Sequence, residues 1–246
     1  MCLCYSMKNI YKNILASIKK NEKNLAVLID PDKTVLEHLS SFMLKVNTSV
    51  ATHVFVGGSI VNDLATEILV SEIKKLTSLP IILFPGDVSQ VTGNADALLF
   101  LSLISGRNPK YLIEKHVEAV SMLRNIDLEI IPTGYILIEN GKETSVQKVT
   151  ETQPMSRNNI QHVVDTALAG EFLGMKLIYL EAGSGATHPI DIAMIYKVKK
   201  DLNIPLIVGG GIKSKQELEK AYQAGADLVV IGTAFEEDES FFNELV

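Results

Sequence analysis

Tryptophan is absent from this 246-residue chain, and cysteine occurs only at Cys2 and Cys4. With no further cysteine, neither a disulfide framework nor a cysteine-based zinc site is expected. The pair reads as tail thiols, in keeping with a reducing, cytoplasmic setting. An excess of positive charge is also lacking: 23 Lys and Arg face 29 Asp and Glu, a net charge of -6. No broad polyanion-binding surface follows from that balance, so nucleic acid is not an expected partner. A small phosphate-bearing ligand stays open, because it needs only local donors. No stretch is long and apolar enough to cross a bilayer. Lysines break up the apolar positions of the first 24 residues, which lack the continuous core of a secretory signal. The five histidines show no HExxH spacing, and the sequence has neither a GxSxG elbow nor a GxxxxGK[ST] loop.

What is present is a large apolar content, 47% of residues, distributed in short runs. Strand-like segments recur at 24–30, 52–57, 80–86, 95–102, 128–138, 176–182, 205–210 and 227–232. Their near-continuous Val, Ile and Leu content indicates strands buried on both faces, as in a parallel sheet. Amphipathic helical segments such as HVVDTALAGEFLG and SKQELEKAYQAGA separate several of them. Eight such units in a chain of this length predict one α/β domain over 1–246, a (β/α)8 TIM barrel. A doubly wound open sheet is the structural alternative. Met7, Ile10, Ile14 and Ile18 recur at helical spacing and predict an amphipathic helix over about 7–20, ahead of the barrel.

Two places depart from the repeat. Only DVSQVTGN, residues 87–94, joins the third and fourth strands, too few for a full helical crossover. The third helix should be absent or replaced by an extended segment, leaving a gap in the barrel wall. After the fifth strand, the polar stretch 139–157 reads as a long loop over the barrel mouth.

In a barrel of this kind the C-terminal strand ends carry the site. The non-core residues there are Asp30, Asp32 and Lys33; Gly57, Gly58 and Ser59; Asp87; Tyr135; Tyr179, Glu181 and the loop Gly183, Ser184, Gly185; Gly209, Gly210, Gly211; and Gly232 with Thr233. Glycines at the seventh and eighth strand ends let backbone amides approach an anion, the usual barrel phosphate cradle. Either motif alone would be no more than a tight turn. A strand-end carboxylate such as Asp30 beside a Ser hydroxyl suits Mg²⁺, which takes few protein ligands. Asp32 is either functional or a cap for the following helix. Glu181, ending an apolar strand, should have its pKa raised by burial and suits proton abstraction; satisfaction by a neighbouring Lys or backbone amide is the plain alternative. His188, before Pro189, reads as structural at the start of the sixth barrel helix. The acidic run Glu236 to Glu239 reads as a solvated face at the start of the last helix.

The motifs LIDPDK, VFVGGS, LFPGDVSQ, PTGYILI, YLEAGSGA, IVGGGIK and IGTAFEE occur in this order. Together they resemble the geranylgeranylglyceryl phosphate synthase family, most closely its larger-sequence subgroup with bacterial members, from about residue 24 to the C-terminus. The resemblance implies transfer of a polyprenyl group, such as geranylgeranyl, from its diphosphate to the 3-hydroxyl of sn-glycerol 1-phosphate, with Mg²⁺ as cofactor. By motif, Asp30 and Ser59 would hold the metal. Tyr179, Leu180, Glu181, Ala182, Gly183, Ser184 and Gly185, with Gly209, Gly210, Gly211, Gly232 and Thr233, would hold glycerol 1-phosphate. Glu181 would take the hydroxyl proton, and the Tyr179 ring would face developing allylic cation charge. The family is also described as lacking the third barrel helix. A homo-oligomer, dimer or hexamer, and a cytoplasmic location are implied, with no transmembrane segment and only transient membrane contact through a lipid product. Without tryptophan, a Trp-based limit on chain length does not carry over.

Two other classes compete. A phosphate-binding barrel isomerase or lyase acting on a sugar phosphate would need a second acid–base group facing Glu181, for which Asp87 is the candidate. A non-catalytic sensor would keep the cradle but have no need of Glu181 and Asp30.

Overall fold

The computed structural model describes residues 9–58, 61 and 64–245. Eight strands close into a parallel barrel in chain order: β1 (Asn24–Ile29), β2 (His53–Val56), β3 (Ile81–Leu83), β4 (Ala97–Leu103), β5 (Glu129–Leu137), β6 (Leu177–Glu181), β7 (Leu206–Gly209) and β8 (Leu228–Ile231). β8 pairs with β1 through Asn24 opposite Leu228, which closes the ring. The helices are α1 (Ile10–Lys19), α2 (Leu36–Thr48), α3 (Ala65–Leu76), α4 (Lys115–Leu123), α5 (Ser145–Thr150), α6 (Ile160–Phe172), α7 (Ile192–Asp201), α8 (Lys215–Gln223) and α9 (Thr233–Glu237).

Strand side chains alternate between two apolar layers, as the period of two requires. Ala26, Phe55, Ile82, Leu99, Ile131, Tyr179 and Ile207 fill the barrel interior. Val27, Val54, Leu98, Ile178, Leu180 and Val208 pack outward under the helices. Burial on both faces explains why the strands read as unbroken apolar runs rather than as polar–apolar alternation.

The crossover between β3 and β4 holds only a single 3-10 turn, Val88–Gln90. Every other crossover carries at least one α-helix, so this side of the barrel is thin. A π-helical turn, Lys110–Glu114, leads into α4 and adjoins the thinned wall.

Among the described residues the N-terminal helix covers 10–19; the first residues of the predicted 7–20 span lie outside them. Its Ile10 and Ile14 are buried with the interior cluster, so α1 closes the barrel end opposite the strand C-termini. The Glu129 carboxylate at the start of β5 accepts the N–H groups of Ile10 (2.5 Å) and Tyr11 (3.1 Å). These are first-turn amides with no partner inside the helix, and an acidic acceptor there also complements the helix dipole.

Three local expectations change. The 139–157 stretch is not wholly a loop: Thr144 caps α5 by accepting the Gln147 N–H, and Ile138 bridges to Met155. His188 precedes the sixth barrel helix rather than starting it, since Asp191 is the N-cap of α7. The acidic run is largely exposed, as expected, but it spans the end of α9 rather than its start, and it is ion-paired. Glu236 pairs with Lys33 (2.8 Å), Glu237 with Lys213 (3.4 Å) and Glu239 with Lys45 (2.6 Å), so lysines from three other elements hold it.

Candidate active site

The strand C-termini surround one cavity of about 410 Å³. β6 delivers its chemistry. The alternation that sends Ile178 and Leu180 outward points Tyr179 and Glu181 into the barrel. Glu181 is buried, and its Oε1 accepts the Gly183 N–H at 2.6 Å. Burial pushes the carboxyl pKa up, and the Tyr179 hydroxyl and Gly183 amide offset only part of that. The Tyr179 hydroxyl is buried beside it without an aligned hydrogen bond. Burial first, then the charge of Glu181, raises both Tyr179 and Tyr135 well above the ordinary phenol value, so both stay protonated.

Glycine at the end of β7 is what lets these groups sit where they do. A methyl group on Gly209 would strike the Tyr179 hydroxyl and lie 2.9 Å from Glu181 Oε2. Gly210, at φ +84°, adopts a left-handed conformation, and a methyl there would strike Glu181 Oε1. The β6 and β8 loops are joined: the Gly185 N–H donates to Thr233 Oγ1 at 3.2 Å, and the Ser184 and Thr233 hydroxyls lie 3.0 Å apart. Gly232 stands at the N-cap of the short α9. Glycine backbone, two hydroxyls and a helix start therefore line one small space, a chemistry suited to phosphate oxygens.

Across the cavity, Asp30 at the end of β1 is part-buried and faces the backbone of Gly58, where a methyl would sit 2.8 Å from Asp30 Oδ1. That oxygen accepts the Asp32 N–H at 3.1 Å, and Oδ2 lies 3.6 Å from Lys33 Nζ. Ser59, the other expected metal ligand, lies outside the described residues. Among the described residues no cluster of three or more His, Cys, Asp or Glu could hold a metal. One carboxylate at the rim of an open cavity nevertheless fits Mg²⁺, whose shell is completed by water and phosphate. Asp32 does not cap the next helix, because the N-cap of α2 is Val35.

The expected residues do not all reach the cavity. Asp30, Tyr179, Glu181, Gly183, Ser184, Gly185, Gly210, Gly211, Gly232 and Thr233 line it. Leu180 and Ala182 carry their side chains in the outer apolar layer, which leaves only their backbone for a ligand. Gly209 lies beneath Tyr179 and Glu181 and does not form the cavity wall.

Sequence reasoning collected Tyr135 and Tyr179 and placed a gap in the wall, but it passed over Phe84 and the aliphatic lining, because it gathered mainly polar residues and glycines at strand ends. Phe84 stacks on Tyr179 at 5.2 Å, and Tyr135 meets the Tyr179 ring edge-on at 5.4 Å, so three rings wall the cavity next to Glu181. From there the cavity leaves the barrel at β4. Inward-facing Leu99 and Leu101 line it together with outward-facing Leu98 and Phe100, Val91 of the short crossover, and Ala119 of α4. The missing helix is what lets one cavity touch both faces of a strand. Val146 and Val149 of α5 cover its upper side, held by the Tyr111 hydroxyl donating to the Val149 carbonyl at 3.0 Å.

Asp87 is committed elsewhere on the rim. It accepts the Ser89 N–H at 3.3 Å and pairs with Lys115 at 3.0 Å. Burial alone would raise its pKa, but Lys115 and the backbone amides lower it, so it is a settled carboxylate.

Comparison with known proteins adds an independent line. The model of the PcrB family matches residues 17–246. Geranylgeranylglyceryl phosphate synthase of Flavobacterium johnsoniae is 54% identical over 96% of this chain and 98% of its own length. The protein of that name from Methanosphaera stadtmanae is 38% identical over 95% of this chain and 96% of its own. Among solved structures, (S)-3-O-geranylgeranylglyceryl phosphate synthase from Thermoplasma acidophilum, in complex with its substrate sn-glycerol-1-phosphate, superposes with a TM-score of 0.89. That pair is 28% identical, with 96% of this chain and 95% of the other covered.

Proposed function

We propose a prenyl transfer for this chain, which belongs to the PcrB family: it joins a polyprenyl group, from a donor such as geranylgeranyl diphosphate, to the 3-hydroxyl of sn-glycerol 1-phosphate. The products are an ether-linked prenylglyceryl phosphate and diphosphate. The observation that carries this reading is the single cavity that joins a glycine-lined cradle and a buried carboxylate to an apolar groove leaving through the thinned wall. A sugar-phosphate isomerase has no use for such a groove. Its second acid–base candidate, Asp87, is tied to Lys115.

In this mechanism the hydroxyls of Ser184 and Thr233, with the backbone at Gly211 and Gly232, bind the phosphate of glycerol 1-phosphate. That places the 3-hydroxyl against Glu181. As its oxygen bonds to the first carbon of the allylic chain, the carbon–oxygen bond to diphosphate breaks and Glu181 accepts the hydroxyl proton. The raised pKa of Glu181 makes it a stronger base than an exposed carboxylate. Phe84, Tyr135 and Tyr179 turn ring surface toward the positive charge that develops on the allyl group and keep water from it. Asp30 and Ser59 would hold Mg²⁺, which supplies positive charge to the departing diphosphate. The groove along β4 and α4 takes the chain.

The same reading includes a homo-oligomer, dimer or hexamer, supported by exposed Val117 and Val120 on α4, and a cytoplasmic location. Among the described residues no helix is long and apolar enough to cross a membrane. The deciding assay supplies Mg²⁺, labelled glycerol 1-phosphate as either enantiomer, and donors from farnesyl to heptaprenyl diphosphate. Product from the sn-1 enantiomer is the expected outcome, and the best donor reports the chain length. Absence of product with every donor would overturn the synthase reading.

A further inference from the structure

The phosphate cradle described above consists of neutral donors, whereas the ligand proposed for it is a dianion. Among the described residues, the lysines around the mouth are mostly neutralised. Lys33 pairs with Glu236 and Asp30, Lys213 with Glu237, and Lys115 with Asp87 and Glu118. Lys142, which stands beside the lining loop at Gly185 and not in the cavity wall itself, is the exception: among the described residues it has no ion-pair partner. Its ammonium lies 3.0 Å from where a methyl group on Gly185 would stand, directly against the β6 loop.

The Lys142 backbone is pinned at that spot. The buried Asn140 side chain donates its Nδ2–H to the Ala182 carbonyl, and its Oδ1 accepts the Lys142 N–H at 3.1 Å. Two residues further on, the Thr144 methyl packs against Gly183, so the segment is fastened to the β6 loop on both sides of Lys142. Thr144 also caps α5, whose Val146 and Val149 roof the apolar part of the cavity. Gly185 itself adopts φ +61°, which keeps its amide turned to Thr233 and leaves no Cβ between the loop and the ammonium.

We infer that Lys142, carried by the segment after β5, is the charged partner of the glycerol 1-phosphate phosphate group and completes the cradle from above. The inference rests on the functional reading given above. It assigns a binding role to a residue outside the strand-end glycine motifs. An ammonium held against a set of neutral amides turns ordinary hydrogen bonds into charge-assisted ones, and it makes affinity depend on ligand charge and on salt.

The test is calorimetric titration of the full-length protein with sn-glycerol 1-phosphate and with inorganic phosphate, at low and moderate salt, alongside steady-state kinetics. Lys142→Ala should weaken sn-glycerol 1-phosphate binding about ten- to a hundredfold, the range for losing one charge-assisted hydrogen bond. Its KM for that substrate should rise in step, with kcat and the donor KM within about twofold of wild type, as for lost uniform binding. Lys142→Arg should recover most of the affinity, and the salt dependence of binding should be shallower in Lys142→Ala. Lys142 is exposed, so neither variant threatens the fold. Wild type that binds sn-glycerol 1-phosphate while Lys142→Ala binds it equally well overturns this inference alone. Wild type that binds neither ligand overturns the functional reading, and the inference with it.

Discussion

At the scale of single residues, Glu181 holds a carboxylate where burial disfavours its charge, and chemistry and stability pull in opposite directions there. Replacing it with Gln keeps shape and hydrogen-bonding but removes the proton acceptor. Glu181→Gln should lose about 10²–10⁴ in kcat, the usual worth of a general base, with sn-glycerol 1-phosphate affinity little changed in a direct titration. In wild type, kcat/KM should rise with pH along an acid limb displaced above the ordinary glutamate range, then level off once Glu181 is ionised; Glu181→Gln should lose that limb. The stability consequence has the opposite sign. With the folded pKa above the unfolded one, the native state holds more protons between the two values. The contribution of Glu181 to stability is therefore complete below the unfolded pKa and is lost as pH rises through the folded pKa. Denaturation midpoints at several pH values should show Glu181→Gln gaining on wild type toward neutral pH.

Single elements decide what the site accepts. The crossover after β3 is a three-residue turn in place of a helix, and the wall that remains there is built from β4 and α4. Ala119 on α4 is small and lines the groove. Ala119→Trp should fill the path of a long donor while leaving the cradle untouched. We expect the rate with geranylgeranyl diphosphate to fall by more than about tenfold, a loss of roughly 1.4 kcal/mol or more in transition-state binding. The loss with shorter donors should be smaller, and titration should show unchanged sn-glycerol 1-phosphate affinity. Equal losses with all donors would place the chain elsewhere. The segment after β5 works at the same scale, because a capped helix and the anchored Asn140 turn what reads as a polar loop into a fixed roof.

For the molecule as a whole, catalysis and closure sit at opposite ends of one barrel. The strand C-termini carry the cavity, and α1 seals the other end by burying Ile10 and Ile14 among interior side chains. Deleting the Ile14 side chain beyond Cβ leaves a hole at that seal. Ile14→Ala should cost about 2–5 kcal/mol, the range for buried large-to-small changes. At this chain length each kcal/mol lowers the thermal midpoint by roughly 2–4 °C. Activity measured well below the new midpoint should stay near wild type, because the perturbed end is remote from the site. A large fall in kcat at low temperature without loss of fold would show the two ends to be coupled.

The barrel was legible because its cause is local and repeated. Eight apolar runs, each long enough to be covered on both faces, leave few parallel arrangements, and the eight residues 87–94 between the third and fourth runs are too few for a helical crossover. The glycines and Glu181 were legible for a related reason: a left-handed φ or a carboxylate ending an apolar strand is written in one residue type at one position. The aromatic wall was legible only in part: Tyr135 and Tyr179 stand out at strand ends, but Phe84 looks like an ordinary core residue until closure of the ring stacks it on Tyr179. Residue type did pick out Tyr179 and Glu181, but the motif carried Leu180 in beside them, and strand register turns that side chain away. The placement of Lys142 and the pairing of the acidic run with distant lysines belong to the same class. Sequence by itself determined which segments are buried and where the backbone must bend, because burial and backbone sterics act within a few residues. Tertiary structure alone decided which side chains meet across the mouth, because those partners come from strands and loops far apart in the chain.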